Sequence, residues 1–463
     1  MPGPHEAVAE LASTFAARVA SFVKEQRLPG ASAGVVVGDR LVWSGGYGFA
    51  DVARREPPDA RTLFRIASIT KTFTATAILQ LRDEGRLDLD DPVDAHIPEL
   101  KASASPFGSF GSVTLRRLLS HESGLVGDPP ETDWTLRRYE GDVGSNLRRA
   151  GDIATTVPPN TQQKYSNLGY QLLGEVVARV SDGPYVEYVQ ANILVPLGLG
   201  STSFEPLTDD MAARRAVGYD ARWMSDELEE ALPAPTVFAE GGLWSCIEDL
   251  GRWIAANLRE DGGDRGAGQV LAGPTLKEMH RPRYLGDEAW TEAWCIGWYA
   301  HRKDDVIWVR HGGGLPGFIT DVCFERTAKV GAIALLNGDG PASELAIQLG
   351  AIALEAARRA PNPAEPPGAM PRAYRDLLGL YAAPADGLLR RVEWRDGELA
   401  LIDPDAPTWR PILEPDGHPD RFVVSAGWRE SGEPVVFERR LDGRVYRVVV
   451  GPESLARFDP VDQ

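Results

Sequence analysis

A chain of 463 residues is longer than one ordinary domain and points to two or three. Hydrophobic residues make up 43% and charged residues 25%, the balance of a soluble globular protein able to bury sizeable cores. A formal net charge of −18 argues against a nucleic-acid backbone or an anionic membrane surface as partner.

The first residues, Met-Pro-Gly-Pro-His-Glu, lack the basic stretch and apolar run of a secretory signal, and nothing later approaches the ~18 apolar residues of a membrane span. Cys246, Cys295 and Cys323 are odd in number and have neither metal-ligand nor C-x-x-C spacing. They read as reduced core thiols, and a cytoplasmic location is expected. His5-Glu6 and His121-Glu122 begin like H-E-x-x-H but lack the second histidine, so no metal and no cofactor are expected.

Helical spacing of Val8, Leu11, Phe15, Val19, Phe22 and Val23 predicts an amphipathic helix over residues 7–26, ended by Leu28-Pro29-Gly30. Two strands joined at Gly38-Asp39 follow. An apolar helix runs from about Ser68 to Glu84 and is closed by Gly85. Residues 114–180 are mainly helical, with a clear amphipathic run from Leu168 to Val180. A second sheet region is expected from about Glu240, including Val306–Val309, Phe318–Phe324 and Val330–Leu336, and then a helix from Glu344 to Arg359. A proline-rich linker spans residues 361–372. Beyond it, short strands are punctuated by the hairpin signals Asp396-Gly397 and Asp442-Gly443. Leu388–Trp394, Leu399–Ile402, Arg421–Ser425, Val435–Arg440 and Val445–Val450 are the candidate strands of a small antiparallel β-barrel over residues 373–463.

The chemistry concentrates at Ser68-Ile-Thr-Lys71. Residues three apart share one helix face, so the Lys71 amine can reach the Ser68 hydroxyl and take its proton. The first turn of a helix also stabilises developing negative charge. Alone the spacing is weak, since a capping serine and a surface lysine give the same text. The chain, however, has 7 lysines against 42 arginines, and one of the few stands inside this apolar stretch. Three further segments accompany the pair: Tyr165-Ser166-Asn167 at the entrance to a helix, Gly241-Gly242-Leu243-Trp244-Ser245 followed by Asp249-Leu250, and His311-Gly312-Gly313-Gly314.

In order and approximate spacing these segments resemble the serine β-lactamase and penicillin-binding-protein superfamily. The closest likeness is to its class C-related branch of family VIII esterases, D-aminopeptidases and D,D-carboxypeptidases. His121-Glu122-Ser123-Gly124-Leu125 is similar to that branch's H-x-S-G-L segment, and the likeness covers roughly residues 25–360. It implies an α/β fold, the β-lactamase/transpeptidase-like sandwich of an antiparallel sheet flanked by helices plus a helical region, as a catalytic domain over residues 1–360. It also implies an acyl-enzyme on Ser68, with Lys71 and Tyr165 sharing the general-base task. A phenol ordinarily titrates near ~10 and needs a neighbouring cation to act near neutral pH. Asn167 would bond Lys71 and the substrate acyl amide, and backbone N–H groups of Ser68 and Gly314 would hold the oxyanion. Gly313 and its neighbours let substrate approach closely. His311 replaces the lysine of the K-T-G motif of classical β-lactamases, a weaker anchor for a carboxylate. His121, Gly124 and Gly241 are assigned to architecture. The C-terminal barrel resembles the lipocalin-like domains attached to some relatives.

These expectations favour a carboxylesterase on small acyl esters, with a small-molecule or short-peptide acyl substrate and a possible homo-oligomer. The alternatives are a D-aminopeptidase or amidase, a peptide-cyclising thioesterase, and a catalytically silent penicillin-binding-like protein. Two motifs are decoys. Gly30-Ala-Ser32-Ala-Gly34 matches a nucleophile elbow but precedes a valine-rich strand instead of opening a helix. Gly312–Gly317 spells G-x-G-x-x-G but contains Pro316 and opens no helix. Trp244, Trp290, Trp294 and Trp298 are candidates for an apolar acyl pocket or for core.

Overall fold

The computed structural model describes residues 3–129, 143–205, 207–219, 238–260, 268–303, 305–360, 370–383, 388–395, 398–404, 410–426, 431–440 and 443–458. Most of the linker, the Asp396-Gly397 turn and Asp442 lie outside the described residues. The chain forms two compact units, Met1–Ala360 and Pro361–Gln463.

The first unit is built on one antiparallel sheet. Its strands are β1 (Gly30–Val37), β2 (Arg40–Gly48), β5 (Tyr284–Leu285), β6 (Glu292–Trp294), β7 (Tyr299–Lys303), β8 (Val306–Leu315), β9 (Phe318–Glu325) and β10 (Val330–Leu336), in the order β2-β1-β10-β9-β8-β7-β6-β5. The strands after Glu240, expected as a second region, join the first hairpin through β1–β10 pairing, from Ala31↔Leu336 to Val37↔Val330. A separate two-stranded ribbon pairs β3 (Phe64–Arg65) with β4 (Trp244–Ser245).

Alternation along the strands divides the core. Ala31, Ala33, Val35 and Val37 of β1, with Val330, Ala332, Ala334 and Leu336 of β10, face the helices Ala12–Glu25 and Ala342–Arg359. Val36, Ile333 and Leu335 face the opposite way, into the larger core with the helices Thr70–Asp83, Asn167–Ser181 and Ile247–Asn257. The sheet is therefore covered on both faces.

The single helix expected over 7–26 is two, Pro4–Ala9 and Ala12–Glu25, because Leu11 N bonds back to Val8 O and interrupts the ladder at Glu10–Leu11. Ser32 lies in β1, fully buried, with its hydroxyl donating to Asp59 O, as a small sheet residue. No helix among the described residues is long and apolar enough to cross a membrane.

The second unit is a closed antiparallel barrel of eight strands, β11 (Gly379–Ala383), β12 (Leu388–Arg395), β13 (Glu398–Ile402), β14 (Ile412–Pro415), β15 (Arg421–Ala426), β16 (Pro434–Arg439), β17 (Val445–Val450) and β18 (Glu453–Phe458). Five were expected; β11, β14 and β18 complete the closure. Its core includes Tyr381, Val392, Leu401, Phe422, Phe437 and Val448.

Candidate active site

The nucleophile candidate is presented by a strained turn. After β3, Ile66 N donates to Leu243 O at 3.0 Å, and Ala67 then adopts a left-handed φ of 46°. Ser68 sits in a short 3-10 turn, Ala67–Ile69, that leads into the helix Thr70–Asp83. Leu243 N donates to Thr70 Oγ1 at 3.2 Å, so the Glu240–Leu243 segment straps the turn in place. A non-glycine residue at positive φ costs energy that the surroundings must offset, and it is found where a side chain has to be aimed.

Lys71 is fully buried, and its Nζ donates to Ser68 Oγ at 3.0 Å, Asn167 Oδ1 at 2.8 Å and Glu240 O at 2.8 Å. Three acceptors match the three hydrogens of an ammonium. The same Nζ lies 4.9 Å from the ring centroid of Tyr165 and 5.5 Å from that of Tyr170. Ser166 caps the helix Asn167–Ser181 by accepting from Gly169 N, which fixes Tyr165 just before the helix and Asn167 in its first turn. Ser68, Tyr165 and Asn167 are all half-buried.

His121 holds this entrance. Its ring stacks on Tyr165 at 4.2 Å, and its Nδ1 accepts from Ser166 N. Burial, and then the Lys71 charge, hold the imidazole well below its usual value, so it is neutral. Gly124, at φ 70°, has Val157 O only 2.1 Å from where a Cβ would stand.

His311, Gly313 and Gly314 lie within β8, so the strand runs on through the glycines that were expected to precede it. Val309 belongs to the core on the nucleophile's side and Trp308 to the opposite one, so His311 and Gly313 point toward Ser68 and Lys71. A Cβ on Gly313 would stand 2.1 Å from Ile66 O, showing how closely β8 lies against the nucleophile turn. The pairing of β8 with β7 stops at Arg310 opposite Tyr299, whereas its pairing with β9 runs on to Leu315. Among the described residues, 311–315 thus pair on one side only, and Gly314 is exposed. An extended acyl chain can align on such an edge.

Burial pushes His311 down to about 3, helped by the Lys71 charge, so its imidazole is also neutral. Its Nδ1 donates to Gly312 O, and its buried Nε2 lacks a hydrogen-bond partner among the described residues. Trp294 completes the wall, 4.9 Å from the His121 ring and 5.9 Å from the Tyr165 ring. Trp244 and Trp298 are buried in the core.

One cleft residue escaped the sequence reading. Asp128 Oδ1 accepts from Asn167 Nδ2 at 2.7 Å, so both ends of the Asn167 amide are engaged. Asp128 lies in a loop and Asn167 in the first turn of a helix 39 positions on, and no local pattern joins them. Cys246, Cys295 and Cys323 are buried, and burial pushes Cys246 up to about 11 and Cys295 up to about 12. Among the described residues no group of three or more His, Cys, Asp or Glu is placed to hold a metal ion.

With this geometry in view, the likeness to known proteins is specific. The Beta-lactamase family profile matches residues 15–357. "Protein flp" of Staphylococcus aureus (strain COL) is 27% identical over 330 residues, 68% of this chain and 61% of that protein. "Beta-lactamase-like protein 2" of Dictyostelium discoideum is 29% identical over 322 residues, 67% of this chain and 56% of that protein. The chain thus spans less than two thirds of the length of these curated relatives. Among solved structures, an octameric penicillin-binding protein homologue from Pyrococcus abyssi superposes with TM-score 0.62 at 21% identity, covering 96% of this chain and 99% of that one. A class C beta-lactamase superposes with TM-score 0.63 at 20% identity, covering 74% and 96%. Fold, motif order and sequence agree: the chain belongs to the Beta-lactamase family.

Proposed function

We propose that the protein is a serine hydrolase that forms an acyl-enzyme on Ser68 and acts on small acyl esters. The observation that carries this reading is the Lys71 ammonium, bonded at once to Ser68 Oγ and Asn167 Oδ1 beneath the Tyr165 ring.

In this reading Ser68 Oγ attacks the acyl carbon while its proton passes to the Tyr165 oxygen. Backbone N–H groups of Ser68 and Gly314 receive the oxyanion. The C–O bond to the leaving group then breaks, and Tyr165 returns the proton to the departing alcohol. Water repeats the sequence on the acyl-enzyme, releasing the acid and free Ser68. Neutral His311 leaves this wall without the cation that would hold a substrate carboxylate, which disfavours β-lactam acids.

Hydrolysis of p-nitrophenyl butyrate by wild type, Ser68→Ala and Ser32→Ala tests the assignment. The expected result is a loss of at least about 10³-fold in kcat for Ser68→Ala, with Ser32→Ala near wild type. Equal activity in Ser68→Ala and wild type would exclude Ser68 as nucleophile. Failure of a fluorophosphonate to label folded wild type would favour the silent binding protein.

A further inference from the structure

The amide of Asn167 was expected to serve Lys71 with one end and the substrate with the other. The structure engages both ends internally. Oδ1 accepts from Lys71 Nζ at 2.8 Å, and Nδ2 donates to Asp128 Oδ1 at 2.7 Å. The orientation follows from chemistry, because an ammonium can only donate and a carboxylate can only accept. Asp128 is half-buried, stands three residues beyond the H-x-S-G-L turn, and has Asn167 as its hydrogen-bond partner among the described residues. Where a neutral amide donor was expected, the cleft therefore presents a carboxylate, joined to Ser68 Oγ through Asn167 and Lys71.

That exchange reverses which substrates are welcome. A substrate carbonyl at this wall would meet a charge it cannot pair with. An ammonium or N–H would gain a charge-assisted hydrogen bond in a partly water-excluded site. The other cations nearby do not serve this role. Lys71 is saturated by Ser68, Asn167 and Glu240, and Lys164, half-buried with its Nζ 3.9 Å from where a Cβ on Gly127 would stand, makes no ion pair with Asp128 among the described residues.

Resting on the acyl-enzyme reading above, we propose that Asp128 makes the acyl subsite selective for substrates carrying a protonated amine beside the scissile carbonyl. Aminoacyl esters and amides with a free α-amine are that class. Asp128 acts on the amine, while the bond broken and the proton path through Ser68 and Tyr165 are unchanged.

The test uses two p-nitrophenyl esters of nearly the same shape, alanyl and isobutyryl, in which a methyl replaces the ammonium. Both alanine enantiomers are assayed at pH 6.5, below the ordinary α-amino titration near ~7.7. Wild type should prefer one alanyl enantiomer over the isobutyryl ester by about tenfold or more in kcat/KM. Asp128→Asn keeps an acceptor for Asn167 Nδ2 but removes the charge. It should lower kcat/KM for the alanyl ester by about tenfold to hundredfold and raise it for the isobutyryl ester. Asp128→Glu, with the charge retained, should restore the preference for the amine. An equal fall on both esters in folded Asp128→Asn would make Asp128 a positioning residue for Asn167 and overturn the proposal. So would a wild type indifferent to the amine. Labelling of Ser68 by a fluorophosphonate is scored in the same samples. Labelling without amine preference sinks this inference alone, and absence of labelling sinks the acyl-enzyme reading.

Discussion

Lys71 sets the charge pattern of the cleft. Its ammonium is removed from water, and the three acceptors around it offset that loss. The same charge acts with burial to keep His121 and His311 unprotonated. A pH dependence of stability follows, with a definite sign. Unfolded, His311 regains its ordinary value of 6.5, while folded it refuses a proton until about pH 3. Between those limits the unfolded chain binds more protons, so stability is full above pH 6.5 and falls as pH drops toward 3. The slope for one such histidine approaches ~1.4 kcal/mol per pH unit. Urea unfolding at pH 7 and pH 5 should show wild type losing ~2 kcal/mol more than His311→Asn over that step. Equal acid sensitivity in the two proteins would mean that His311 already holds a proton when folded. At this scale the sequence was informative wherever the geometry is local. Ser68 and Lys71 meet because they are three apart on one turn, and Tyr165 and Asn167 are placed by the Ser166 cap between them. Asp128 was invisible because its partner comes from the start of a helix far along the chain.

Among the elements, β8 carries the most function in the least side-chain volume. Gly313 leaves no room for a Cβ, whose position falls 2.1 Å from a backbone oxygen that a rotamer change cannot move. Gly314, its neighbour, would place a Cβ 3.4 Å from Ile319 Cδ1, an ordinary contact. The two substitutions should therefore separate. Gly313→Ala must push β8 away from the Ile66–Ser68 turn and so misplace the two proposed oxyanion donors, with an expected cost of about 10²-fold or more in kcat. Gly314→Ala should keep the fold, with a thermal midpoint within about 2 °C of wild type, whatever it does to substrate access. A Gly313→Ala enzyme with wild-type kcat would show that the strand and the turn need not touch. The strand itself was legible from Val306 to Val309, where Val306, Ile307, Trp308 and Val309 form an unbroken apolar run, and faded where side chains vanish into glycine. Strands β5, β6 and β7 went unseen for a related reason. They run two, three and five residues, and their burial follows no strict alternation. Their place beside β8 depends on pairing that only the assembled sheet provides.

At the level of the whole molecule, each compact unit has its own apolar core. The first unit covers both faces of its sheet with helices. The second closes β11 onto β18, pairing Leu380 with Phe458, and so leaves no edge. The composition change after the prolines made this division readable from the chain. The strand count was not, since β14 ends in Pro415 and β11 runs through small residues. Self-contained cores predict independent folding. A chain ending at Ala360 should remain soluble, unfold cooperatively, and keep a Ser68 that fluorophosphonate labels, because all of Ser68, Lys71, Asp128, Tyr165, Asn167 and His311 precede that point. Calorimetry of the full chain should show a transition that the truncated chain reproduces within about 5 °C. An aggregated or unlabelled product would mean that the catalytic unit depends on the barrel for its fold. A folded product with altered kcat/KM would instead assign the barrel a part in substrate selection. Comparing alanyl and isobutyryl esters on this truncated chain then separates the two sources of specificity, since the Asp128 preference should survive removal of the barrel intact.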